Sequence, residues 1–179
     1  MNLPNKITIF RVIMIPVFLV FMLVPGIPYG SYIAAAVFVI ACLSDALDGH
    51  IARKHDLVTN FGKFMDPLAD KLLVCSALIC FVELSYMPAW MVIVIIAREF
   101  IISGFRLIAS DNGVVIAASY WGKFKTIAQM IACILLIVQL PFDYADLVEQ
   151  IFIWLALVLT EVSLCEYIWK NRNVLKETK

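Results

Sequence analysis

At 179 residues the chain has room for one domain, and it is 63% hydrophobic and 16% charged, where soluble domains run about 45–50% apolar and about 25% charged. With a mean hydropathy of +0.94, too few polar side chains exist to clothe a water-soluble globule. The formal net charge is zero, which gives no sign of a nucleic-acid partner and leaves the distribution of charge as the informative feature.

A bilayer-crossing helix needs about 20 mostly apolar residues. The sequence predicts six, in chain order over 7–24, 31–51, 63–83, 88–108, 118–140 and 147–169. The amino terminus carries Lys6 and Arg11, but no small-residue cleavage site follows the first apolar run, so that run reads as a retained span and not a signal peptide. Pro25-Gly26 and Pro28 to Gly30 separate the first two spans, Pro88 opens the fourth and Pro141 closes the fifth. The five cysteines lie scattered in apolar runs and read as small buried hydrophobes.

Lysine and arginine set the expected orientation. The stretches around 25–30, 83–88 and 141–149 contain neither, whereas the other side collects Lys6, Arg11, Arg53, Lys54, Lys63, Arg106, Lys123, Lys125, Lys170, Arg172, Lys176 and Lys179. The expectation is an all-α bundle of six transmembrane helices, 1–179 forming one domain, with both termini cytoplasmic and the chain in the cell membrane.

Charge inside a span costs at least about 2.5–3.5 kcal/mol per residue on insertion scales, so it is rare and functional by default. Four aspartates nevertheless sit where the second and third spans meet the cytoplasm. Asp45 and Asp48 are three residues apart and Asp66 and Asp70 four apart, so each pair shares a helix face. Converging carboxylates repel unless cations neutralise them, and hard oxygen donors suit Mg2+ or Mn2+. Two such ions about 3.5–4 Å apart serve displacement at phosphorus. Gly49, Ala52 and Gly62 keep the neighbouring faces small, and Arg53 adds a planar fork suited to phosphate. Glu99 has cations nearby with which to pair, and Glu161, in the last span, has Thr160 and Ser163 beside it for a local hydrogen bond.

The order Asp45-x2-Asp48-Gly49-x2-Ala52-Arg53-x8-Gly62-x3-Asp66-x3-Asp70 resembles the signature of the CDP-alcohol phosphotransferases at every fixed position. Further similarity is to the phosphatidylglycerophosphate-forming branch of that family. It is carried by Asn2-Leu3-Pro4-Asn5 with Thr8 and Arg11, by Pro67-Leu68-Ala69-Asp70-Lys71, by Arg98-Glu99-Phe100 with Ser103-Gly104 and Arg106, and by Gly122-Lys123-x-Lys125-Thr126. The resemblance implies that the phosphatidyl group of CDP-diacylglycerol passes to sn-glycerol 3-phosphate and that CMP leaves.

By the same resemblance Asp45, Asp48, Asp66 and Asp70 hold two metal ions, and Asp70 is the general base. Asp48, Gly49, Ala52, Arg53 and Gly62 bind the CDP-lipid. Asn5 and Thr8 join them, unless they are only the cap and first turn of the opening helix. The acceptor phosphate falls to Arg98, Arg106, Lys123 and Lys125; for the two lysines, orientation or lipid-headgroup contact is the competing explanation. A homodimer is implied by resemblance alone.

An intramembrane prenyltransferase or a divalent-cation transporter fits less well. All four aspartates fall in one window, and no acid lies in the outer halves of the second and third spans. Within the family, inositol phosphate, serine or phosphatidylglycerol remain open as alternative acceptors.

Overall fold

The computed structural model describes the backbone of residues 3–54, 60–111 and 119–172, and the side chains of 5–44, 68–69, 71–109 and 119–172. Its elements are six α-helices: α1 (Leu3–Leu23), α2 (Gly30–Lys54), α3 (Asn60–Glu83), α4 (Ala89–Asp111), α5 (Tyr120–Val138) and α6 (Ala145–Lys170). Among the described residues there is no strand.

Each helix covers one of the expected spans, with its ends displaced by a few residues. α1 starts at Leu3 with Pro4 in its first turn, where the missing N–H costs nothing. That start puts Asn5 in the first turn of the helix and Thr8 in the second, so neither is its N-cap. Gly26 turns the chain after α1 at φ 85°, in the left-handed region that glycine enters freely. At Gly30 a Cβ would stand 2.9 Å from the Phe21 carbonyl oxygen, so the first turn of α2 approaches α1 too closely for a side chain. Ser119 caps α5 by accepting a hydrogen bond from the Gly122 N–H at 3.1 Å.

Three helices, α1, α5 and α6, are long and apolar enough over their described residues to cross a membrane. α4 is as long, but carries Arg98, Glu99 and Arg106 within its 23 residues.

The helices form two compact units, α1 to α3 with the last turn of α5, and α4, the rest of α5 and α6. In the first unit, Ile15, Phe18, Ala34, Phe38, Ala41, Leu73, Ala77 and Phe81 are buried. Phe18 meets Phe38 with ring centroids 6.0 Å apart. In the second, Trp90 meets Trp154, Arg98 meets Ser163 and Phe105 meets Tyr167. These contacts climb both helices in the same order, so α4 and α6 run parallel. Phe105, Ile102 and Tyr167 form the core there, the two rings edge to face at 5.8 Å.

The local hydrogen bond expected for Glu161 is not made. Thr160 donates to the Ala156 carbonyl and Ser163 to that of Thr160, so both hydroxyls turn to their own backbone and Glu161 is exposed.

Candidate active site

In the first unit, the buried face of α1 changes character along its length. Ile15 and Phe18 are apolar, whereas Asn5, Thr8 and Arg11 on the same face are polar, and Thr8 and Arg11 are fully buried. None of these three is without a partner. Burying a guanidinium in an apolar unit is costly unless it is compensated, which marks this end of α1 as a polar region.

Helix register shows what lies level with it. α1 and α2 are joined by a short connection and are antiparallel, with Phe18 beside Phe38. Ten residues of helix from that contact, about 15 Å, bring the backbone to Thr8 on α1 and Asp48 on α2. Three residues nearer lie Arg11 and Asp45. On the α3 side, Leu19 and Leu23 share a cavity wall with Ser76, Ile79, Cys80 and Glu83. The same stepping along these parallel helices sets Lys71 level with Arg11, and Asp66 and Asp70 on either side of Thr8. The backbone positions of all four aspartates therefore fall at the level of the polar stretch of α1. The side chains of Asp45, Asp48, Asp66 and Asp70, and those of Ala52 and Arg53, lie outside the described residues, as does the packing around Gly49 and Gly62. The donor set they offer, carboxylates alone, is that of a hard divalent cation.

In the second unit the four expected acceptor cations separate into two pairs. Arg98 and Lys125 are buried, 8% and 3% exposed, and a single carboxylate oxygen holds both. Glu99 Oε1 accepts from Arg98 Nη1 at 3.0 Å and from Lys125 Nζ. Arg98 Nη2 also donates to Ser163 Oγ at 2.7 Å, so the cluster ties α4, α5 and α6 together. Among the described residues, these two cations share the one carboxylate. The Arg98 Nε is buried with no hydrogen-bond partner among the described residues.

Arg106 and Lys123 are not part of this cluster. Both are exposed, Arg106 over the Tyr167 ring at 5.8 Å and Lys123 over the Tyr120 ring at 5.4 Å. Helix geometry explains the division. Eight residues rotate a helix about 80° past two full turns, which moves Arg106 off the buried Arg98–Ile102–Phe105–Ala109 stripe. Lys123 and Lys125, two apart, point to nearly opposite sides.

Residue spacing did not mark the fully buried Arg11, the buried Ser163 or the buried Gln129 as site residues. For Arg11, its place on the Asn5–Thr8 stripe was the available signal; for Ser163, 65 residues from Arg98, there was none.

A family model described as CDP-alcohol phosphatidyltransferase matches residues 1–162, running through both units. The chain belongs to that family. It is 48% identical to the CDP-diacylglycerol–glycerol-3-phosphate 3-phosphatidyltransferase of Bacillus subtilis over 192 aligned residues, 98% of this chain and 97% of that one. It is 40% identical to the protein of that name from Haemophilus influenzae, over 93% of this chain and 91% of the other. A probable phosphatidylglycerophosphate synthase of Mycobacterium tuberculosis is 37% identical, over 93% of this chain and 80% of its own length.

Proposed function

We infer that this chain transfers the phosphatidyl group from CDP-diacylglycerol to sn-glycerol 3-phosphate, giving phosphatidylglycerophosphate and CMP. The observation that carries the reading is the near full-length identity with relatives of that name, joined to an uninterrupted Asp45–Asp70 motif.

Asp45, Asp48, Asp66 and Asp70 would hold two divalent cations, Mg2+ or Mn2+, a role supported by the all-carboxylate donor set and its level in the helices. Such ions supply neutralisation of the pyrophosphate and of the charge that develops on departing CMP. Asp70 takes the proton of the acceptor hydroxyl. The hydroxyl oxygen then forms a bond to the lipid-bearing phosphorus, and the bond from that phosphorus to CMP breaks, its electron pair leaving with CMP. Asp48, Gly49, Ala52 and Gly62 make room for the nucleotide and Arg53 holds a phosphate. Asn5 and Thr8 face the same end of α1 and contribute polar contacts.

The acceptor phosphate rests on Arg98 and Lys125. The two buried cations, with an Arg98 Nε that has no partner among the described residues, favour a dianion there. Arg106 and Lys123, exposed, draw the dianion in from water.

The chain lies in the cell membrane as six spans, termini and aspartates on the cytoplasmic side, a reading supported by the Lys and Arg distribution. A homodimer belongs to the same reading. Purified protein given CDP-diacylglycerol, Mg2+ and glycerol 3-phosphate tests the whole: CMP release supports it, and no release opposes it.

A further inference from the structure

Gln129 is a buried amide whose side-chain oxygen no described residue uses. It lies one turn beyond Lys125 on the same buried face of α5 and is 4% exposed. Its Oε1 has no hydrogen-bond partner among the described residues. An unsatisfied buried polar group costs stability, and an apolar side chain of similar shape would remove that cost.

A second orphan belongs to the Arg98–Glu99–Lys125 cluster: Arg98 Nε is buried without an acceptor among the described residues. Lys125 has three N–H donors, and Glu99 takes one of them. The cluster therefore presents spare charged donors beside a spare neutral acceptor one helical turn away, about 5–6 Å between Cβ atoms. That pattern is complementary to a small molecule carrying an anionic group and a hydroxyl at short separation.

We propose that Gln129 is a specificity-determining residue, its Oε1 accepting a hydrogen bond from the non-reacting middle hydroxyl of glycerol 3-phosphate while Arg98 and Lys125 hold the phosphate. The proposal rests on the acceptor reading above and adds to it the group that recognises the polyol. The donors alone would bind any phosphomonoester, whereas a buried acceptor left unpaired penalises one that lacks the hydroxyl.

The test compares glycerol 3-phosphate with 1,3-propanediol monophosphate, which lacks only the middle hydroxyl, in wild-type and Gln129→Met protein. CMP release and thermal unfolding in detergent are both read. The wild type should prefer glycerol 3-phosphate in kcat/KM by at least about tenfold. Gln129→Met should erase the preference by losing activity toward glycerol 3-phosphate only, with an unchanged or higher unfolding temperature, since an orphan has been removed.

Equal use of both acceptors by the wild type overturns the proposal and needs no variant. A preference that survives in Gln129→Met overturns it too, as does a variant that unfolds more easily and loses both acceptors alike, which makes the amide structural. If the wild type releases no CMP with glycerol 3-phosphate but does so with another acceptor, the acceptor reading itself has failed. That result is distinct from those that reject Gln129 alone.

Discussion

Arg98 and Ser163, 65 residues apart in the chain, meet at 2.7 Å between guanidinium and hydroxyl. Ser163 is fully buried and in turn donates to the Thr160 carbonyl at 2.9 Å. Its lone pair is thereby aimed at Arg98, and α6 fixes the guanidinium that Glu99 holds from its other side. A long flexible cation becomes a fixed one, which lowers the entropy lost when an anion binds.

Arg98→Ala and Lys125→Ala should each raise KM for glycerol 3-phosphate by roughly 10- to 100-fold, the worth of a hydrogen bond to a charged group. KM for CDP-diacylglycerol should stay within about threefold, because uniform binding to one substrate is what is lost. Steady-state kinetics with each substrate varied in turn checks this. Equal losses for both substrates contradict the assignment.

Asp70→Asn keeps the shape of the side chain and removes the proposed base. CMP release should fall by about 10²–10⁴-fold, the usual contribution of general base catalysis, while the protein still purifies as a folded species.

Metal removal should be as severe and, unlike that substitution, reversible. Activity lost in EDTA should return on addition of Mg2+ or Mn2+ in excess, with CMP release followed during the titration. Activity that persists in EDTA contradicts the metal assignment of Asp45, Asp48, Asp66 and Asp70.

Phe18→Ala tests packing away from the chemistry. Phe18 is fully buried against Phe38, so truncation should cost about 3 kcal/mol, the low end for aromatic cavities. In a bilayer, packing and not water exclusion holds helices together. Thermal unfolding in detergent reads the loss, and kcat of the folded fraction should not change.

Much of this was legible in the amino-acid order, for physical reasons. Apolar runs broken by Pro25-Gly26, Pro88 and Pro141 locate six helices, since membrane length and backbone hydrogen bonding leave few other solutions. The aspartates draw attention in the sequence because carboxylates would be costly at membrane depth, and their side chains lie outside the described residues. The ends were less visible: the start at Leu3 depends on local turn geometry, and it sets Asn5 and Thr8 within the first two turns of the helix. The four cations expected at the acceptor were readable as a set but not as a buried and an exposed pair, because the buried side of α4 and of α5 is decided by packing. Glu99, Ser163 and Gln129 became informative only through partners, or the lack of one, that sequence separation hides.

The central claim is that the chain catalyses phosphatidyl transfer to glycerol 3-phosphate with metal-dependent release of CMP. The most direct measurement is CMP release by purified protein with CDP-diacylglycerol and Mg2+, offered glycerol 3-phosphate, inositol phosphate, serine or phosphatidylglycerol in parallel. Release with glycerol 3-phosphate alone, abolished by EDTA, is the predicted result. Release with one of the other acceptors in its place, or release indifferent to EDTA, would contradict it.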